Sequence, residues 1–134
     1  MKINHDCIRD LLLYLEESLI LTPNLEFCSI SLQELINSGQ LNYPKEVIAH
    51  TATLLDQAGY IDISVSYADN CISSLDIYRI TYDGYNFLDS IRPQTVWDKT
   101  KSACSKLGSW SFDTITQIAS NVLSQTIPII ISNL

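Results

Sequence analysis

The chain has 134 residues, of which 46% are hydrophobic and 17% are charged, and its formal net charge at pH 7 is −7. An apolar fraction of this size is sufficient to bury a core, which excludes an intrinsically disordered protein. The length predicts one domain, residues 1–91, followed by a C-terminal helical extension, residues 92–134. This extension either packs on the same core or serves for dimerisation.

The first 43 residues predict two helices separated by a short strand. Apolar residues at helical spacing indicate the first helix over residues 4–18. Residues 27–30 are expected to form a strand that joins a later hairpin. Ser31 and Glu34 have the spacing of a capping box, which opens a short helix that ends at Gly39. Residues 40–43 would then be the turn into a third helix.

The third helix has one apolar and one polar face. We expect Pro44 in its first turn and a stop at Gly59, which suits the left-handed conformation after a helix. The buried face is predicted to comprise Val47, Ile48, Thr51, Leu54, Leu55 and Ala58. The exposed face is predicted to comprise Lys45, Glu46, Ala49, His50, Thr53 and Gln57.

A β-hairpin follows this helix. Residues 60–67 alternate strictly between polar and apolar side chains, which is typical of a half-buried strand. Residues 68–74 predict a loop, and residues 75–80 alternate again, with Leu75, Ile77 and Arg79 opposite Asp76, Tyr78 and Ile80. Thr81 is expected to cap a fourth helix carrying Tyr82, Tyr85, Leu88 and Ile91. This order predicts an α+β fold, mostly α: a winged helix-turn-helix with a small β-hairpin wing and extra C-terminal helices.

The extension begins with the basic segment of the chain. Arg92 and Pro93 end the fourth helix, and a fifth helix begins near Thr95. The apolar side of this helix is predicted to be Val96, Trp97, Thr100, Cys104 and Leu107. Its cations, together with Arg92, are Lys99, Lys101 and Lys106. This surface either contacts nucleic acid or an acidic partner, or is a solvated helix face that balances an acidic neighbour.

The last helix is uncharged over most of its length. Ser111 is expected to cap it, and Pro128 is expected to break it. Residues 114–134 are too polar for an ordinary membrane span, so membrane insertion is disfavoured. We expect the apolar residues of this helix to pack on a second copy in a homodimer. The predicted oligomer interface comprises Ile115, Ile118, Val122, Ile127, Ile129, Ile130 and Ile131.

Catalysis and metal binding find no support in the sequence. The four cysteines (Cys7, Cys28, Cys71 and Cys104) contain no CxxC pair, which disfavours a zinc site, and Cys7 and Cys104 are expected to be buried thiols. No nucleophile–histidine–acid order, HExxH motif or phosphate-binding glycine loop is present. We expect a protein that is not an enzyme, with no catalytic residues, metal or cofactor. Residues 1–10 are polar and lack a signal-peptide cleavage site, so the expected location is cytoplasmic.

Acidic side chains lie where a winged helix would meet DNA. Residues 43–80 contain two cations, Lys45 and Arg79, against five acidic side chains. These acidic residues are Glu46, Asp56, Asp62, Asp69 and Asp76. Because duplex DNA is bound largely through cations at its phosphates, this charge disfavours a DNA complex that the fold would favour.

Three segments carry a family resemblance: Asp6-Cys-Ile-Arg-Asp-Leu-Leu12, Leu54-Leu-Asp-Gln-Ala-Gly-Tyr-Ile61 and Ile80-Thr-Tyr-Asp-Gly-Tyr-Asn-Phe-Leu-Asp-Ser-Ile-Arg92, the last followed by Thr95-Val-Trp97 and Lys99-Thr-Lys101. In these segments the chain resembles a small family of uncharacterised bacterial and prophage proteins. The resemblance implies a winged-helix-like fold and a bacterial or phage origin, and it implies no catalytic residues. The uncharged tail departs from the family, which is more basic near its C-terminus.

Two functional hypotheses result. The first is a non-enzymatic winged-helix protein of phage or bacterial origin that acts as a protein-interaction or regulatory module through its acidic surface. The alternative is a dimeric DNA-binding transcriptional regulator. Its base contacts would come from Lys45, His50, Thr53 and Gln57, and its phosphate contacts from Arg92, Lys99, Lys101 and Lys106. For His50 the favoured interpretation is a surface histidine that has no role.

Overall fold

The computed structural model describes all 134 residues, which adopt an α+β fold of six helices and two small antiparallel sheets. The helices are α1 (His5–Ser18), α2 (Leu32–Asn37), α3 (Lys45–Gln57), α4 (Tyr82–Ile91), α5 (Gln94–Leu107) and α6 (Phe112–Ser132). The strands are β1 (Ile20–Leu21), β2 (Phe27–Cys28), β3 (Ile30–Ser31), β4 (Ile61–Ala68) and β5 (Cys71–Ile80). The chain divides into two compact units, Met1–Tyr85 and Asn86–Leu134, and the division falls within α4.

Side-chain caps begin four of the helices. The predicted caps are confirmed: Ser31, Thr81 and Ser111 each accept a hydrogen bond from the backbone N–H three residues later, at 3.1 to 3.2 Å. Asn4 caps α1 in the same way, through Cys7 at 3.0 Å. These bonds satisfy backbone donors that have no partner inside the helix, and so they fix where each helix starts.

The buried face of α3 is rotated from the predicted one. Ile48, Ala52 and Leu55 form its fully buried centre, at the spacing of one helical stripe. Ala49, which was expected on the exposed face, is only 8% exposed. Ala58 was expected on the buried face but is exposed, because α3 ends at Gln57 and Ala58 lies beyond its last turn.

The hairpin turn is much tighter than the predicted loop over residues 68–74. Strand β4 continues to Ala68 and β5 begins at Cys71, so Asp69 and Asn70 alone make the turn. Both have a positive φ, 52° and 64°, which is the backbone conformation of a two-residue type I′ turn. Asp and Asn enter this region at lower energy than most residues because their short polar side chains bond locally. Residues 71–74 therefore extend the strand.

A β-bulge explains why the predicted alternation of the second strand fails at its end. Asp62 pairs with Arg79, but the next residue of β4, Ile63, pairs with Ile77, so Tyr78 is an extra residue in β5. The extra residue shifts the alternation by one position. As a result Ile80 is buried beside Leu75 and Ile77, whereas Arg79 is exposed.

The predicted strand over residues 27–30 is divided between the two sheets. Ile30 and Ser31 pair with Ile77 and Asp76, which completes a three-stranded sheet in the order β3-β5-β4. Strand β2 instead pairs with β1, with Phe27 opposite Leu21, in a separate two-stranded sheet. Of the predicted strand, only Ile30 therefore joins the hairpin.

A polar contact ties α1 to the segment before α3. The Tyr43 hydroxyl donates a hydrogen bond to Asp10 Oδ2 at 2.5 Å. The pKa of Tyr43 is raised well above its usual range, mainly by burial and further by this hydrogen bond and the charge of the carboxylate. Nearby Cys7 is fully buried, as predicted, and burial raises the pKa of its thiol.

The second unit contains α5 and α6. Trp97 is 2% exposed and Cys104 fully buried on the predicted apolar side of α5, whereas Leu107 is 67% exposed. The rings of Phe87 and Phe112 meet edge to face, with centroids 5.3 Å apart. Pro128, which was expected to break the last helix, lies inside α6, and the helix continues to Ser132. Proline removes one backbone hydrogen bond, and the flanking residues of α6 keep their helical conformation.

Gly84 is a position in α4 where only glycine fits. A Cβ atom added there would lie 2.0 Å from the carbonyl oxygen of Tyr60, which also accepts the backbone N–H of Thr81 at 3.0 Å. We expect Gly84→Ala to lower the free energy of unfolding by about 1–3 kcal/mol, although alanine is the better helix former. Urea unfolding would measure this. The control is Asn86→Ala on the same helix, where the side chain is exposed and a change within about 0.5 kcal/mol is expected.

Removal of the Tyr43 hydroxyl should change both stability and its pH dependence. We expect Tyr43→Phe to lower the free energy of unfolding near neutral pH by about 1–2 kcal/mol, because Asp10 loses a donor. A raised tyrosine pKa means that the folded state holds the proton more tightly. Its contribution is therefore complete below about pH 10 and declines as the pH rises further.

Urea unfolding at about pH 8 and about pH 11 would test this sign, because the gap between wild type and Tyr43→Phe should narrow at the higher pH. The exposed Tyr82 supplies the control: Tyr82→Phe should change the free energy of unfolding by no more than about 0.5 kcal/mol. A gap that widens at alkaline pH would contradict the assignment.

Candidate interaction surfaces

The residues predicted to contact bases all lie on α3, but they are unequally exposed. Lys45 and Gln57 are exposed at its two ends, whereas His50 and Thr53 are half-buried between them. The Thr53 hydroxyl donates to the carbonyl oxygen of Ala49 at 2.9 Å. The middle of this predicted recognition face is thus partly covered, and its one hydroxyl already bonds the backbone.

The charge of the protein is concentrated in the first unit. Residues 1–85 contain 12 acidic and four basic residues, a net charge of −8, whereas residues 86–134 contain three and four, a net charge of +1. None of those 12 acidic side chains is buried. Arg79 forms an ion pair with Asp62, its cross-strand neighbour, so its charge is balanced within the hairpin. The first unit therefore presents a strongly acidic surface.

A groove of about 650 Å³ runs along one side of this unit. Its first wall is formed by α2 and the start of α3, with Leu32, Ile36 and Ala49 as its apolar residues. The second wall consists of β5 from Cys71 to Asp76. Lys45, Glu46 and Asp76 are the charged residues among the lining, so the groove carries one cation against two carboxylates.

Of the predicted phosphate contacts, Arg92 directly follows α4 and the three lysines lie on α5. Lys99 and Lys106 are exposed. Lys101 is half-buried, and its amino group lies 5.7 Å from the centroid of the Trp97 ring, a cation–π distance. Arg92 donates to Asp89 at 2.8 Å. Arg92 and Lys101 thus have contacts within the chain, whereas Lys99 and Lys106 are presented to solvent.

The predicted oligomer interface is exposed only towards its C-terminal end. Ile115 is 1% exposed and lies in the core, while Ile118 and Val122 are half-buried. The other four residues are 50 to 63% exposed, and they surround Pro128. They are Ile127, Ile129, Ile130 and Ile131. A helix end that is apolar on all sides is normally covered by another surface.

Sequence reasoning missed two features of the first unit. Only the extension of β5, which forms one wall of the groove, could have been anticipated, because Asp69-Asn70 is a dipeptide that favours a two-residue hairpin turn. The β1–β2 hairpin exposes Ile20, Leu21 and Phe27, each more than half exposed. Two-residue strands have no periodicity from which they could be predicted.

Two further observations describe the chemistry of the surface. No three His, Cys, Asp or Glu side chains lie close enough together to hold a metal ion. None of the six helices is both long enough and apolar enough to cross a membrane.

Comparison with known proteins finds one matching family and a similar bacterial protein. The family DUF2513, described as a hypothetical protein, matches residues 2–111 and so includes everything before α6. An uncharacterised protein of Haemophilus influenzae is 32% identical over 126 residues, which covers 93% of this chain and 98% of the relative. No solved structure matches the chain.

Proposed function

This chain belongs to the DUF2513 family, and we propose that it is a non-enzymatic winged-helix protein of phage or bacterial origin that binds a protein partner through its acidic surface. The observation that carries the proposal is the net charge of −8 on residues 1–85, with seven of the 12 acidic side chains exposed and the other five half-buried. A surface of this charge attracts basic partners and repels nucleic acid.

The order of elements supports the winged-helix part of the proposal. Helices α2 and α3 follow one another through a short connection, and the β4–β5 hairpin comes directly after them. The short strand β3, which precedes α2, pairs with β5. A winged helix-turn-helix has the same succession, with α3 at the recognition position and the hairpin as the wing.

The regulator remains as a second candidate because of α5. Lys99 and Lys106 are exposed on this helix, and phosphate contacts need exposed cations of this kind. Against it, the α3 position that would enter a DNA groove offers Lys45 beside Glu46, so its local charge is close to zero.

Titration of random duplex DNA separates the two candidates. We expect the purified full chain to show no binding at about 50 mM salt, because the acidic unit opposes the approach of phosphates. Fluorescence anisotropy of labelled DNA would measure this over a salt series. Micromolar binding that weakens steeply with salt, and that Lys99→Glu with Lys106→Glu abolishes, would instead favour the regulator.

Affinity capture from a bacterial lysate tests the interaction itself. A genuine partner should bind the wild-type chain and elute with salt. The amount of partner captured should fall when Glu46→Gln and Asp69→Asn remove two charges from α3 and the wing. The matched control, Glu17→Gln with Glu26→Gln, removes the same charge elsewhere on the first unit. Equal capture by both double variants would contradict a partner site on α3 and the wing.

We further propose that the exposed end of α6 pairs with a second copy. Ile127 and Ile131 are one helical turn apart on α6, and both are at least 50% exposed. We expect the wild type to be a dimer at micromolar concentration and Ile127→Asp with Ile131→Asp to be a monomer. Light scattering over a dilution series would measure the mass. Ser120→Asp with Ser124→Asp places the same charges at exposed polar positions of α6 and should leave the dimer unchanged.

A further inference from the structure

The second wall of the groove is the edge of a strand and not one of its faces. Successive residues of a β-strand point to opposite sides of the sheet, so a surface on one face is lined by every second residue. Here six successive residues, Cys71 to Asp76, line the groove. Lining by residues of both faces is the pattern of a groove that follows the backbone edge of β5.

Most of that edge lacks a neighbouring strand. On its other edge β5 is paired with β4 along the whole hairpin. On the groove side, β3 pairs only with Asp76 and Ile77, so residues 71–75 lie beyond its reach. Five residues of strand correspond to about 17 Å of edge, at roughly 3.4 Å per residue. Backbone donors and acceptors along such an edge are open to another strand.

The opposite wall provides contacts for the side chains of an added strand. Leu32 and Ile36 of α2 and Ala49 of α3 form an apolar surface along it. Ile72, 40% exposed, adds an apolar side chain from β5 itself. A strand lying between the two walls would place alternate side chains against this surface, which is how edge-strand recognition obtains its specificity.

We propose that an extended, basic segment of a protein partner binds in this groove by adding a strand to the free edge of β5, in line with β3. The inference deepens the proposed interaction function and depends on it. The segment is about five residues long, carries an apolar side chain towards Leu32 and Ile36, and carries lysine or arginine towards Glu46 and Asp76. Its backbone hydrogen bonds supply affinity, and its charges supply orientation.

Charge distinguishes this occupant from a second copy of the chain. Two copies that meet through the first unit would bring together two surfaces of net charge −8. A bulge at Ser73, which has no register partner in β4, lies within this edge, so an added strand pairs with the residues on either side of it.

Selection of peptides on the full-length protein tests the proposal. The probe is a phage-displayed library of random linear peptides. We expect the enriched peptides to be rich in lysine, arginine and β-branched residues and poor in proline, which cannot complete strand pairing. Synthetic copies of the enriched peptides would then be titrated against variants by fluorescence anisotropy.

The hairpin offers a matched pair of variants. Ile72→Lys places a cation in the groove, while Tyr67→Lys places the same charge directly opposite on β4, at an exposed residue that does not line the groove. We expect at least a tenfold weaker affinity for Ile72→Lys and less than a twofold change for Tyr67→Lys. Alternate backbone N–H groups of a strand point to opposite edges, so the peptide nitrogens can be methylated in two registers. Methylation in the register that faces β5 should weaken binding at least tenfold. Circular dichroism and thermal unfolding would establish that both variants fold.

Three outcomes would overturn the inference. Peptides that bind the Ile72→Lys variant as tightly as the wild type do not occupy the groove. Peptides that tolerate methylation in both registers do not pair with the edge of β5. Either result leaves the acidic interaction function unaffected. A selection that enriches no peptide would contradict the strand-addition proposal. The interaction function is tested separately by capture from the lysate. Self-association that Ile72→Lys abolishes would identify a second copy as the occupant.

Discussion

The pairing of β5 is the constraint on which the first unit depends. This strand lies between β3 and β4, and its inner half buries Leu75, Ile77 and Ile80. The bulge at Tyr78 is what allows all three to be buried, because a regular strand would turn Ile80 away from the other two. The outer half continues beyond β3 into solvent. A single strand therefore both completes the core and forms one wall of the groove.

Local signals in the sequence were sufficient to predict the helices. The caps Ser31, Thr81 and Ser111 act within three residues, and helical periodicity is visible over two turns, so neither depends on the rest of the fold. Pro128 is the exception. Proline disfavours a helix interior on average, but it removes only one hydrogen bond from a helix that is otherwise continuous.

The sheet and the groove were less predictable because they depend on residues far apart in the chain. Whether Phe27 pairs with Leu21 or with the hairpin is decided by packing, and two-residue strands carry no pattern of their own. The groove joins α2, α3 and β5, and its lining residues carry no shared motif. Of the residues predicted from sequence to bind DNA, only Lys45 lines it. Side chains can be assigned to a helix face from periodicity, whereas a cavity between elements needs their positions in space.

The two-residue turn at Asp69 and Asn70 has a consequence for the order of folding. Strands β4 and β5 need to close only this turn, and isolated hairpins form within microseconds. Pairing of Ile30 with Ile77 closes a far longer loop and carries a correspondingly larger entropic penalty. We therefore expect the hairpin to form before β3 pairs with it. In that order the edge of β5 accepts β3 as an added strand, which pairs with Asp76 and Ile77 and leaves the rest of the edge unpaired.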